Sequence, residues 1–357
     1  MLGLAMTVSD FTERELIERI RERLPAPPEW MIVGIGDDAA VIEPERNRLE
    51  VLSVDALIEG VHFDRAFTPP DAIGHRALAV NLSDLAAMGA TPRLALLSLA
   101  VPETLAAGDF DAMVGGVAAL AARFGLYVAG GNLTRSPGPL MLDVTVAGTV
   151  KRRRALLRSG ARPGDELYVS GTIGAAAAGL QTLQYAAREF SPASPTTGAF
   201  ATDAELQLRA TYGDGDSCVR RYLYPEPRLR LGTLLGRNRA ATACMDLSDG
   251  LADAVRQMAE ASGVGAAIDA DTLPIDPEAR RWFASQGADP VHEALTGGDD
   301  YELLFAVRPR TPARLAAVLR SAGVATTRIG SCTADRAIRL LHVDGDRPWP
   351  RGYSHFR

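Results

Sequence analysis

From residue 31 to residue 150, short apolar runs of strand character alternate with stretches of helical spacing. That alternation confines the chain to a layered domain of sheet and helix, of α/β or α+β class. Strands are expected at 31–35, 38–43, 49–54, 94–101, 126–129 and 140–150. Ile73, Leu78, Leu82 and Leu85 share one helical face within 71–88, and Gly89-Ala90-Thr91-Pro92 ends that helix. An Ala-rich helix is expected over 109–124. Ahead of the sheet, residues 12–24 (TERELIERIRERL) read as a helix opened by a Thr12/Glu15 capping box and stopped by Pro25, Pro27 and Pro28. The basic stretch KRRRALLRSGARPGD reads as a linker over 151–165 between an N-terminal domain (1–150) and a C-terminal α/β domain (166–357). Strand 166–170 opens the second half, and Gly171-Thr172-Ile173-Gly174 leads into an Ala-rich helix. Residues 190–217, rich in Ser, Pro, Thr and Gly, read as a surface insertion.

A length of 357 residues suits two domains of ordinary size. The formal charge of −6 argues against a nucleic-acid partner, whose footprint is a basic face. No apolar run reaches the roughly 18 residues that a membrane span requires. The start, MLGLAMTVSD, has no basic residue before its apolar stretch, so no secretory signal is expected, and Met6 is a second candidate start. Cys218, Cys244 and Cys332 are scattered and odd in number, which fits a reduced, cytoplasmic protein with unreactive thiols. Lys151 is the only lysine among 38 basic residues. It does not sit in a GxxxxGK[ST] loop, so P-loop chemistry is excluded, and a protein-kinase core lacks its strand lysine.

One short stretch sets the chemical question. GIGDDAAVI (34–42) places Asp37 and Asp38 side by side between apolar runs. Two like charges in an apolar setting repel and lose hydration unless a cation compensates. Similar acid-bearing segments recur at Ser53-Val54-Asp55, at Asn81, Ser83 and Asp84, at Gly130-Gly131-Asn132, and at Asp246-Leu247-Ser248-Asp249-Gly250. Taken singly, each is ordinarily a turn or a helix cap. If the five converge, only bound cations make the site tolerable. Oxygen ligands without a His or Cys cluster favour Mg²⁺, which is usually completed by water and substrate phosphates. Phosphoryl transfer is therefore the expected chemistry, with the glycines at 130–131 and 171–174 admitting phosphate and Arg158 as a clamp.

GIGDDAAVI, SVDALIEGVHF, ALAVNLSDLAAMGATP, RSGARPGD, MDLSDGL, TGGDDYELLF and the final GYSHF resemble, in order and spacing, the thiamine-monophosphate kinase family of the aminoimidazole-ribonucleotide synthetase-like superfamily. The resemblance runs from about residue 8 to the end, outside the insertion. It implies ATP-dependent phosphorylation of thiamine monophosphate to thiamine diphosphate. It also implies a two-domain fold and a homodimer whose N-terminal domains share a β-barrel. Carried over by position, Asp38, Ser53, Val54, Asp55, Asp84, Asn132, Asp246 and Asp249 match magnesium ligands, with Asp55, Asp84 and Asp246 the residues expected to matter most for catalysis. Gly131, Asn132, Arg158, Ser248 and Phe124 match ATP contacts. His62, Asp299 and Tyr353 match contacts to the thiamine phosphate.

Four departures from the family pattern bear on this. Val54 stands where Thr is usual, Asn132 where Asp is common and Asp299 where Glu is usual, and the insertion is long. The resemblance selects Asp38 of the acid pair as ligand and leaves Asp37 as a turn or supporting residue. His75 and His342 are expected to be structural, and Trp30 and Trp282 to be packing residues. Two other readings stay open: a sister enzyme with another phosphate acceptor, and a non-catalytic nucleotide-binding homologue.

Overall fold

The computed structural model describes residues 6–190 and 216–352. Most of the expected insertion and Tyr353 lie outside the described residues. The described chain clusters into two compact units, one of residues 6–81, 92–149 and 183–190, the other of 82–91, 150–182 and 216–352.

In the first unit, helix α1 (Glu13–Arg21) opens as its sequence requires. The Thr12 N–H donates to Glu15 Oε2 at 2.7 Å, and the Glu15 N–H returns a bond to Thr12 Oγ1 at 3.3 Å. Strands β1 (Met31–Val33) and β2 (Val41–Ile42) pair antiparallel. They are shorter than expected, because Gly34 to Ala40 leaves the ladder as a turn. Strands β3 (Arg48–Ile58), β4 (Thr91–Pro102), β5 (Tyr127–Ser136) and β6 (Met141–Lys151) form a four-stranded sheet in the order β3-β6-β4-β5, with β4 and β5 parallel.

Helix α2 (Pro70–Ala87) buries Ile73, Leu78, Leu82 and Leu85 completely. At about 1.5–3 kcal/mol for each such side chain, burial rather than local propensity fixes this element. Its first part belongs to the first unit and its last turn, with Asp84, to the second. Helix α3 (Ala107–Phe124) buries Phe110, Met113, Val114 and Val117 and ends at Gly125 in the left-handed conformation.

The second unit is built on a mostly antiparallel seven-stranded sheet. Its strands are β7 (Glu166–Ser170), β8 (Ala243–Asp246), β9 (Gly265–Asp269), β10 (Leu303–Val307), β11 (Thr326–Thr333), β12 (Ile338–Leu341) and β13 (Arg347–Pro348). They lie in the order β13-β12-β9-β11-β7-β10-β8, and only β9 and β12 run parallel. Leu167, Val169, Met245 and Leu304 of this sheet share a core with Leu251, Val255 and Met258 of the helix Leu251–Ser262. Ala175 and Ala178 of helix α4 (Ala175–Phe190) pack with Phe283 and Cys218.

Candidate active site

The GIGDD acids do not lie in an apolar setting. Both side chains are exposed, and Asp37 Oδ1 accepts the Asp38 N–H at 2.8 Å, so Asp37 closes the turn that presents Asp38. Hydration covers the cost that the flanking sequence had suggested. The residues of β3 follow strand alternation, with Ser53 and Asp55 on one face and Val54 on the other. Asp55 and Val54 are exposed and Ser53 is half-buried.

Directly after β3 the chain tightens, and the N–H groups of Val61 and His62 both donate to Ile58 O. His62 Nδ1 accepts the Ile58 N–H at 3.1 Å. A nitrogen that accepts a backbone proton cannot carry one, so the neutral ring holds its proton on Nε2.

The strand expected over 126–129 runs on through Gly130-Gly131-Asn132, which is part of β5. The register passes from Ala95 opposite Val128 to Leu96 opposite Gly130, which leaves Ala129 as a bulge. A Cβ at Gly131 would run into the Leu97 carbonyl, so the strand tolerates no side chain there. Gly131 and Asn132 are exposed. Phe124 closes α3, with the Arg123 guanidinium 4.7 Å from its ring centroid. Asp55 and Asn132 sit on opposite outer strands, roughly 14 Å apart at ordinary strand spacing, so this sheet alone does not bring them side by side.

In the second unit, β8 ends at Asp246, which is 4% exposed, and α2 brings Asp84 to it. Burial, and after it the charge of Asp84, pushes the Asp246 carboxyl up to about 7. The Ser83 hydroxyl donates to Asp246 Oδ2 at 2.6 Å and opposes the shift, as does the charge of Arg158. Arg158 is exposed and is held by Gln257 Oε1 at 2.6 Å. Ser248 is exposed and Asp249 half-buried in the loop that enters helix Leu251–Ser262. The Asp299 N–H donates to Ser248 O at 2.8 Å, which ties the TGGDDYEL segment to the MDLSDG segment.

A buried carboxyl with a second, half-buried acid beside it is expensive, and the ligand atoms they offer are all oxygen. The arrangement fits a hard divalent cation. In the sequence Ser83 stands beside Asp84 within the Asn81–Asp84 segment. Its bond to Asp246 across 163 positions has no local sequence signal.

The remaining expectations concern packing. Trp30 lies against the Met31–Leu94–Ala129 cluster, with Arg93 4.4 Å from its ring centroid. Trp282 donates to Gln181 Oε1 at 3.1 Å beside Phe283. The three cysteines are buried and unbridged, and burial pushes the thiols of Cys218 and Cys332 up to about 12.

The family model for the N-terminal domain of AIR synthase related proteins matches residues 36–150, and that for the C-terminal domain matches 162–343. The thiamine-monophosphate kinase of Escherichia coli strain K12 is 37% identical over 348 residues, covering 96% of this chain and 98% of that protein. The Bacillus subtilis thiamine-monophosphate kinase is 33% identical, covering 91% and 94%. The crystal structure of thiamine-monophosphate kinase from Stenotrophomonas maltophilia K279a superposes with a TM-score of 0.75 at 38% identity, covering 94% of this chain and 98% of that one. The structure of AaThiL complexed with AMPPCP and TMP superposes at 0.70 with 30% identity, covering 99% and 100%. The hydrogenase maturation protein HypE of E. coli shares the fold alone, at 22% identity and a TM-score of 0.71 over 95% and 98%.

Proposed function

The chain belongs to the AIR synthase related proteins and, within them, to the thiamine-monophosphate kinases; from that premise we propose that it transfers the γ-phosphoryl group of ATP to thiamine monophosphate in one in-line step. The observation that best supports this chemistry is the buried Asp246 carboxyl with Asp84 beside it. Two acids this close are well suited to sharing a divalent cation, which offsets their repulsion and can bridge to phosphate oxygens.

The attacking oxygen belongs to a phosphate monoester whose second pKa is about 6, so near neutral pH it is largely a dianion. No side chain has to remove a proton. What remains is to hold two anions in line against their repulsion, so positioning and electrostatic stabilisation dominate. Asp38, Ser53, Val54, Asp55, Asp84, Asn132, Asp246 and Asp249 would hold Mg²⁺, which would supply neutralisation of phosphate charge. Arg158, Ser248, Gly131 and Asn132 bind the ATP phosphates, and Phe124 packs near the nucleotide. His62 offers its Nε2 proton to the acceptor, whose binding Asp299 and Tyr353 complete. An ATP-consumption assay with and without thiamine monophosphate tests this reading. Absence of acceptor-dependent turnover would favour a non-catalytic nucleotide-binding protein, and turnover with another phosphate ester a sister enzyme.

We also propose a homodimer formed through the four-stranded sheet. Outer strand β3 is 11 residues long and carries Leu52, 70% exposed, and Val54, 57% exposed. Leu96 of β4 is exposed as well. A long apolar outer strand invites pairing with another sheet. Closing two sheets into one barrel with β3 of one copy beside β5 of the other sets Asp55 next to the partner's Asn132. This arrangement satisfies the ligand set that one sheet keeps apart. Leu52→Glu should weaken self-association about a hundredfold, read by light scattering across a dilution series. An unaltered dimer at low micromolar concentration would contradict the interface. Among the described residues no helix is long and apolar enough to cross a membrane. We place the protein in the cytoplasm on its scattered, buried, unbridged cysteines.

A further inference from the structure

The segment Gly297 to Glu302 holds two non-glycine residues in the left-handed conformation, Asp299 at φ 67° and Tyr301 at φ 49°. Backbone of this kind persists only where the surroundings over-determine it, and it collects at sites with a task. Here two buried acids supply the constraint. Asp300, between the two left-handed residues, turns inward and accepts the Gly174 N–H at 2.7 Å and the Ala176 N–H at 3.2 Å.

Glu302 has no exposed surface. Its Oε2 accepts from the Ser170 hydroxyl at 2.5 Å and from Arg228 Nε at 2.6 Å, and its Oε1 accepts from Arg221 Nη2 at 2.7 Å. Arg221 also reaches the Asp300 carbonyl at 3.5 Å. The two acids thus tie one short segment to β7, to α4 and to the helices Ser217–Leu223 and Leu229–Asn238.

The outer side of the segment is zipped to the MDLSDG loop. Leu247 N–H donates to Glu302 O at 2.9 Å, Tyr301 N–H to Leu247 O at 3.0 Å, and Asp299 N–H to Ser248 O at 2.8 Å. Gly298 passes so close that a Cβ there would lie 2.5 Å from Ser248 O. The Tyr301 hydroxyl donates to Asp299 Oδ1 at 3.1 Å. Every bond on the inner side therefore bears on where the Asp299 carboxylate stands.

Resting on the acceptor role proposed for Asp299, we infer that Asp300 and Glu302 are positioning residues for thiamine monophosphate: they lock the left-handed turn that fixes the Asp299 carboxylate. Burial pushes the Asp300 carboxyl up to about 7, so its ionised form depends on the two N–H bonds and on Arg221.

The test uses the full-length chain and separates KM for thiamine monophosphate from KM for ATP. Asp300→Asn keeps one acceptor for the Gly174 or Ala176 N–H and loses the charge. It should raise KM for thiamine monophosphate about tenfold, with KM for ATP and kcat changed less than about threefold. In the double variant with Asp299→Ala, Asp300→Asn should add no further rise, because its effect passes through Asp299. Tyr301→Phe removes only the hydroxyl bond to Asp299 and should give a smaller rise in the same constant. It keeps the proposal testable should Asp300→Asn fail to fold. An unchanged KM for thiamine monophosphate in Asp300→Asn and Tyr301→Phe, or full additivity with Asp299→Ala, overturns the positioning role while leaving Asp299 as a contact. An unchanged KM in Asp299→Ala removes the acceptor contact itself, and the positioning role with it.

Discussion

Asp84→Asn should lower turnover of ATP with thiamine monophosphate on the order of 10³-fold, the scale lost when one electrostatic element of a site is removed. The side chain sits in the last turn of α2 beside Asp246, and its charge helps raise the Asp246 carboxyl to about 7. An amide of the same size keeps the helix and its packing, since Ile73, Leu78, Leu82 and Leu85 carry the burial. It removes one of the carboxylates proposed to meet a cation, so the loss belongs to kcat and to the Mg²⁺ requirement rather than to folding. Circular dichroism and the melting temperature of the metal-free variant should match or exceed those of the parent. Near-normal turnover at saturating Mg²⁺ would remove Asp84 from the metal site.

Asp246→Asn should make the metal-free protein more stable and deaf to its ligands. The folded-state pKa of this carboxyl, about 7, lies above its ordinary 3.8. The folded state therefore binds the proton more tightly than the unfolded chain does. Its contribution falls as pH rises from about 4 to about 7, and the penalty is complete at pH 8. Asn at this position can still accept the Ser83 hydroxyl and carries no charge to desolvate. At pH 8 the metal-free variant should melt higher by ~5 °C, and its melting temperature should fall less between pH 5 and pH 8 than that of the parent. The shift that Mg²⁺ with a non-hydrolysable ATP analogue gives the parent should vanish. A destabilised variant that keeps the full ligand-induced shift would contradict both the electrostatics and the role.

These two residues also mark what the sequence makes legible. Helix α2 is readable because four leucines and isoleucines at helical spacing are all buried, and α1 because Thr12 and Glu15 form a local capping pair. The acid-bearing segments are legible as motifs because each is short and continuous. Their environments are not. Asp37 and Asp38 look buried from their apolar neighbours, yet the chain leaves the ladder after Val33 and does not return until Val41. Gly130-Gly131-Asn132 looks like a loop, yet parallel pairing with β4 carries the strand through it by means of one bulge. The Ser83–Asp246 bond and the ties of Glu302 to Ser170, Arg221 and Arg228 join positions 74 to 163 apart. No period or spacing in a single sequence encodes such pairs, because tertiary packing alone creates them.

The most direct test of phosphoryl transfer through this site is a single turnover with ATP labelled in its γ-phosphate, quenched over time in the presence of Mg²⁺ and thiamine monophosphate. The label should move from ATP to the terminal phosphate of thiamine diphosphate, with none bound to protein at any time and none moved when Mg²⁺ or the acceptor is withheld. Label on the protein that chases into product would contradict direct in-line transfer. Label that ends in inorganic phosphate regardless of acceptor would contradict the kinase reading.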